Sequence, residues 1–216
     1  MYGAATAAID PDRPCFVMAS TGATVSYAEY EARANRCAHL LYTHGLRRRD
    51  HYSIFMENND RYLEVCGAGE RSGLYYTCVN SHLTADELAY IVDNSESQVL
   101  VTSRQLCDVA FEALAQCPQV TLCLVVDLPD GAGTGLAIPV LDYAESVAGH
   151  PGTPLDDEWL GTPMLYSSGT TGRPKGIIRP LPENRPSDPL PLFTFLTGLW
   201  HYRDEMIYLS PAPLYH

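Results

Sequence analysis

Between Ser26 and Val126 the sequence switches repeatedly between two hydrophobic periods, and that switching limits the fold more than any other feature. Ser26-Tyr27-Ala28-Glu29 has the form of a capping box, in which the hydroxyl and carboxylate satisfy free amides at a helix start. Tyr27, Tyr30, Ala34, Cys37, Ala38 and Leu41 follow at helical spacing, and Gly45 suits the left-handed position after the last turn. Tyr52 to Met56 reads as a short strand, Asn59 to Gly73 as a helix, and Tyr75 to Val79 as a second strand. Thr84-Ala85-Asp86-Glu87 repeats the capping box and leads a helix carrying Leu88, Ile91 and Val92 on one face, ending near Asn94. A strand over Gln98 to Thr102 and a helix from Ser103 to Gln116 come next. Thr121 to Val126 is an unbroken apolar run, as expected of a strand buried on both faces. Such alternation predicts an α/β protein: a layered, largely parallel sheet flanked by helices.

The pattern breaks twice. Residues 129–162 hold the loop chemistry Asp130-Gly131-Ala132-Gly133-Thr134-Gly135 and His150-Pro151-Gly152-Thr153-Pro154, with one helix expected near Leu141 to Val147. This stretch reads as a connection between two sub-structures. Arg179 to Pro191 contains five prolines, which rules out regular structure there. Beyond it, Leu190 to Tyr202 has the apolar stripe of a core helix, or of a wall beside an apolar pocket.

Composition excludes several classes of function. The net charge of -12, from 14 basic and 26 acidic residues, repels phosphate backbones and argues against nucleic acid as a partner. The one basic run, Arg47-Arg48-Arg49, reads as a solvated helix-to-strand turn. Seven cysteines, odd in number and without C-x-x-C spacing, read as reduced small hydrophobes of the kind found in a reducing cytosol. No apolar run approaches the ~18 residues that span a bilayer, and the first residues lack the form of a secretory signal. The expectation is a soluble, cytoplasmic protein with no transmembrane segment; composition says nothing of oligomeric state.

Chemistry concentrates in Tyr166-Ser167-Ser168-Gly169-Thr170-Thr171-Gly172-Arg173-Pro174-Lys175-Gly176. Glycines let the backbone turn its amides inward, and adjacent inward amides make an anion-binding concavity. Ser and Thr hydroxyls add donors, and Lys175 adds a point charge. Each hydrogen bond to a charged oxygen contributes about 1.5–3 kcal/mol, so a few of them hold a polyphosphate. A P-loop places glycine directly before its lysine and a hydroxyl directly after it. Pro174 and Gly176 occupy those two places here, which excludes that motif. A surface loop that binds nothing has no need of so ordered a string.

The segment resembles the phosphate-binding signature of the adenylate-forming superfamily, which includes acyl-CoA synthetases and aryl-CoA ligases. Thr24 to Arg49 is similar to an early conserved region of that family, although Arg49-Asp50 stands where the family usually has Gly-Asp. Leu74 to Thr102 is similar to a second region, carried here by Asn80, Leu83, Glu87 to Ile91, and Val99-Leu100. Leu209 to His216 is similar to a third, which ends in a tyrosine and a histidine. The resemblance implies that the whole chain, 1–216, is an incomplete N-terminal part of the AMP-binding domain, with the C-terminal domain absent. It also implies an ATP-dependent ligase that makes an acyl-adenylate and then passes the acyl group to coenzyme A. Ser167, Ser168, Gly169, Thr170, Thr171, Gly172 and Lys175 would hold the β- and γ-phosphates, with Mg²⁺ sharing their charge. Tyr215 and His216 would line the place where the acyl group meets the nucleotide.

The substrate implied is a small carboxylic acid, a fatty acid first and an aryl acid second. The family's adenine-, ribose- and hinge-bearing segments and its adenylation lysine do not occur in these residues, so the chain alone is expected to catalyse neither half-reaction. It is also expected to expose strand edges and apolar surface. Where family members commonly carry a histidine after the loop, Ile177-Ile178-Arg179 runs into prolines. Two readings stay open beside this one: a short protein that keeps only nucleotide or partner binding, and an unrelated α/β domain.

Overall fold

The computed structural model describes residues 2–167, 173–203 and 206–215. The chain opens with helix α1 (Ala4–Ile9), strands β1 (Pro14–Val17) and β2 (Thr24–Ser26), and helix α2 (Tyr27–His44). Strands and helices then alternate through β3 (His51–Phe55), α3 (Tyr62–Ser72), β4 (Tyr75–Cys78), α4 (Ala85–Asn94), β5 (Val99–Ser103), α5 (Cys107–Leu114) and β6 (Leu122–Val126). The remainder holds β7 (Val140–Asp142), α6 (Tyr143–Ala148), β8 (Thr162–Pro163), β9 (Leu165–Ser167), β10 (Lys175–Ile177) and α7 (Pro191–Trp200).

The expected α/β architecture is present. Six strands form one sheet in the order β7-β6-β5-β3-β4-β8, and every pairing in it is parallel. Beyond it, β1 pairs with β2 and β9 with β10, both antiparallel. Local chemistry sets the helix ends. Ser26 accepts the Glu29 amide at 3.2 Å, and α2 stops where Gly45 turns left-handed at φ 114°. Glu87 reaches back to the Thr84 amide at 2.9 Å, which holds its own carboxyl below the usual range.

Two apolar clusters sandwich the sheet. Alternate residues of β6 divide between them: Leu122, Leu124 and Val126 join the cluster under α2, α3 and α6, while Cys123 and Val125 join the one under α4 and α5. All five are buried, as an unbroken apolar run requires. The α2 and α3 layer also contains a buried ion pair. Arg71, fully buried, donates to Glu31 at 2.8 and 3.2 Å, to Asn35 at 2.6 Å and to the Gly67 carbonyl at 3.0 Å.

Four expectations change. The α5 helix starts at Cys107 rather than Ser103, because β5 continues through Ser103 and its hydroxyl donates to the Glu57 carboxylate. The helix expected near Leu141 to Val147 starts at Tyr143, because Val140–Asp142 pair as β7, and the α1 helix and β1–β2 hairpin carry no strong sequence period. Arg48 is not simply solvated: its guanidinium stacks 4.8 Å over Trp159 and donates to the Pro182 carbonyl at 3.2 Å. Finally, α7 forms but is not core. It buries none of its residues, and Leu192, Phe193, Phe195, Leu199 and Trp200 are all exposed. With Ile207, Tyr208 and Leu209 they make the exposed apolar surface that was expected.

Arg49 occupies the position where glycine was the expected residue, and its backbone lies at φ 81°. Left-handed geometry costs a residue with a Cβ roughly 1–2 kcal/mol, partly offset for glycine by its larger unfolded-state entropy. The Arg49 side chain is exposed, so little packing opposes the change. Arg49→Gly is expected to raise urea-unfolding stability by about 0.5–1 kcal/mol. Equal or lower stability of the variant would show that this backbone carries no strain.

Candidate phosphate-binding site

The site begins at the sheet edge. Residues 159–164 run alongside the last turn of α3 and then along β4. The Gly161 amide donates to the Glu70 carbonyl at 2.8 Å, the Thr162 amide to Leu74 at 3.1 Å and the Met164 amide to Tyr76 at 2.9 Å. Gly161 is buried here because the backbones approach so closely that a Cβ would overlap the Gly69 and Leu74 carbonyl oxygens. This approach fixes β8, and the chain leaves its carboxyl end directly into β9.

β9 and β10 are the two arms of a hairpin, with Lys175 opposite Ser167, Gly176 opposite Tyr166 and Ile177 opposite Leu165. Directly opposed residues put their side chains on one face, with Cβ atoms roughly 4.5–5.5 Å apart. The register therefore brings Lys175 and Ser167 together at the mouth of the intervening turn, and both are exposed. Gly176 is the residue that fits opposite Tyr166, since a Cβ there would overlap the Met164 methyl and come within 3.0 Å of the Tyr166 ring. Ser168, Gly169, Thr170, Thr171 and Gly172 lie outside the described residues.

Helix α4 holds the hairpin from one side. Tyr166 donates to the Asn94 side-chain carbonyl at 2.8 Å, and burial raises its phenol pKa. Tyr90 donates to the Pro174 carbonyl at 3.0 Å, and the Arg173 guanidinium sits 5.0 Å over the Tyr90 ring. The base of the turn is thus pinned on both arms by one helix. Helical period reports which face of α4 is apolar and not that the Tyr90 hydroxyl and the Asn94 side chain reach a distant loop. Tyr75 adds a further tie, donating to the Arg179 carbonyl at 2.8 Å.

Tyr215 lies elsewhere on the molecule. It is half-buried and packs with Leu214 against the α2–α3 cluster, whereas Tyr166 packs against the α4–α5 cluster. The Leu214 amide donates to Asn58 Oδ1 at 2.9 Å, just beyond the carboxyl end of β3. The order of the sheet reverses at β3: β4 lies on one side of it, β5, β6 and β7 on the other. Open α/β sheets bind ligands outside the carboxyl ends of the strands at such a reversal. His216 lies outside the described residues. Among the described residues no group of three or more His, Cys, Asp or Glu side chains is gathered as a metal site.

Residues 4–216 match the family model of the AMP-binding enzyme. The chain belongs to that family. It is 33% identical over 164 residues to a 3-oxocholest-4-en-26-oate–CoA ligase of Rhodococcus rhodochrous, an alignment covering 74% of this chain and 29% of the relative. A crotonobetaine/carnitine–CoA ligase of Escherichia fergusonii is 28% identical over 213 residues, covering 94% of this chain and 39% of that protein. The chain therefore spans well under half the length of these curated relatives. In fold it is similar to a protein assigned as a long-chain-fatty-acid CoA ligase from Rhodopseudomonas palustris. The TM-score is 0.80 at 24% identity, over 100% of this chain and 51% of that one. Among the described residues no helix is long and apolar enough to cross a membrane.

The backbone approach at Gly161 provides a direct test of how the hairpin is positioned. Gly161→Val should force β8 away from β4, with an overpacking cost of about 2–3 kcal/mol in urea unfolding and earlier proteolysis within residues 159–178. Wild-type stability and cleavage in the variant would mean that β8 does not carry the hairpin.

Proposed function

We propose that this chain supplies the N-terminal, phosphate-holding portion of an ATP-dependent acyl-CoA ligase. The observation that carries the reading is the hairpin register, which sets Lys175 opposite Ser167 at the two ends of the sequence Ser-Gly-Thr-Thr-Gly-Arg-Pro. In the proposed reaction a substrate carboxylate oxygen attacks the α-phosphorus of ATP. The bond to the bridging oxygen breaks, and pyrophosphate departs. The coenzyme A thiol then displaces AMP from the acyl group.

Ser167, Ser168, Gly169, Thr170, Thr171, Gly172 and Lys175 are assigned to the β- and γ-phosphates, where amides, hydroxyls and one ammonium stabilise the charge of the leaving pyrophosphate. Mg²⁺ would arrive with the nucleotide and share that charge. Tyr215 and His216 are assigned to the acyl side, for which an aliphatic carboxylic acid is the preferred substrate. Support for an acid substrate comes from the relatives, which act on acids of differing size. A setting in the cytoplasm fits a pathway of acyl activation and reduced thiols.

By itself the chain is proposed to bind ATP without turning it over, since nothing in residues 1–216 is assigned to the α-phosphate. Calorimetry of the purified chain with Mg-ATP tests the reading. Lys175→Ala is expected to weaken binding roughly 10- to 100-fold, the equivalent of one charge-assisted hydrogen bond. Pyrophosphate release with a panel of carboxylic acids and coenzyme A is expected to stay at the blank. Absent ATP binding, or binding unchanged by the substitution, would overturn the assignment of the loop.

A further inference from the structure

Cys66 and Cys78 are twelve residues apart in sequence, one on α3 and the other at the end of β4, yet their Sγ atoms lie 3.7 Å apart. Both residues are half-buried rather than sealed in the core. We propose that Cys66 and Cys78 form an oxidisable pair that closes an internal disulfide on exposure to hydrogen peroxide. A disulfide needs its sulfurs about 2.05 Å apart, so closure asks for roughly 1.7 Å of approach, within reach of side-chain rotation and a small helix shift.

The surroundings favour one sulfur as the initiating nucleophile. Either thiol can donate to the other across this contact, so a thiolate on one sulfur is held by the hydrogen of its neighbour; with Cys66 as the donor the Cys78 pKa is lowered, and the Tyr62 hydroxyl beside it adds to the effect. The Cys66 thiol is raised by the same contact and by burial. The remaining cysteines are less inclined to ionise. Burial pushes Cys15 and Cys117 up to about 11, Cys37 and Cys123 up to about 12, and also raises Cys107. Thiolate character and access together select the site of oxidation.

The chemistry closes without a further reactant. The Cys78 thiolate attacks one peroxide oxygen, the O–O bond breaks, and hydroxide leaves and takes up a proton as water; Cys78 is now a sulfenic acid. The Cys66 sulfur then attacks the Cys78 sulfur and expels the hydroxyl as a second water, using the proton that Cys66 gives up. Two thiols are oxidised by two electrons, and one peroxide is reduced to two waters.

The pair sits close to the proposed acyl side of the molecule. Tyr62 is within electrostatic reach of Cys66, Cys78 and Tyr215, and the two cysteines pack against the same cluster as Leu214 and Tyr215. Nevertheless the proposal does not depend on the ligase reading.

Its test is a mass-spectrometric thiol count on the native 216-residue chain. The protein is treated with stoichiometric hydrogen peroxide, unfolded, alkylated, and mapped by peptide. Alkylation is expected to fall by two of the seven cysteines, with one reducible cross-link joining the Cys66 and Cys78 peptides. Cys66→Ser should abolish the cross-link and leave Cys78 as a sulfenic acid captured by a dimedone-type probe. A urea-unfolded control should lose the preference for this pair. Seven alkylated cysteines after treatment, the same cross-link pattern in the unfolded control, or a different pair in the folded chain would overturn the proposal.

Discussion

One buried cation organises the part of the molecule from which the candidate site hangs. Arg71, in the last turn of α3, is sealed from water and must find its counter-charge and acceptors inside the protein. Glu31 and Asn35 of α2 and the Gly67 carbonyl provide them, and the Tyr2 and Tyr30 rings lie 5.4 and 5.9 Å from the guanidinium. Glu31 also accepts the Gly3 amide at 2.7 Å, which ties the start of the chain to the same point. A guanidinium so placed holds α2 and α3 in one register. The turn it fixes is the one whose Glu70 carbonyl receives the Gly161 amide. Position is thereby passed from a helix pair to a sheet edge, and from that edge to the hairpin.

The rest of the site follows from how a parallel sheet ends. Each strand of the six releases its chain at the same end, and that end is where loops of differing length can meet a ligand. The hairpin leaves the carboxyl end of β8, and Asn58 receives the Leu214 amide just after β3. These two features pack against different apolar clusters, one on each face. A nucleotide held at one and an acyl group held at the other would have to meet across the carboxyl edge. Helix α4 steadies the hairpin, since Tyr90 and Asn94 hold its two arms.

Where local chemistry decides the structure, the sequence was legible. Thr84 starts a helix with a full capping box and Ser26 starts one with its hydroxyl alone, the Glu29 carboxylate pairing with Arg33 instead; Gly45 and Gly73 end helices with left-handed backbone, and the apolar run before Asp127 is a doubly buried strand. The string from Ser167 to Lys175 stands out as a candidate phosphate loop by the order of its hydroxyls, glycines and lysine, and the structure adds that Lys175 stands opposite Ser167. Other features depend on partners distant in sequence. Leu190 to Tyr202 shows a helix with an apolar face, but period says nothing of what covers it, and among the described residues nothing does. Cys66 and Cys78 fit no spacing motif, because a helix and the following strand bring them together. The Gly161 approach and the Tyr90 hydrogen bond are equally silent in a single sequence, each being a contact between elements roughly 80 or more residues apart.

The central claim is that the turn between β9 and β10 grips a polyphosphate. Hydrogen exchange measured with and without Mg-ATP addresses it most directly, because backbone amides that bond to phosphate oxygens exchange slowly. Peptides covering residues 166–177 should gain protection in the presence of the nucleotide, while those from α6, which packs against the opposite face of the sheet, stay unchanged. Identical exchange over 166–177 in the two conditions, or protection confined to some other segment, would contradict the account.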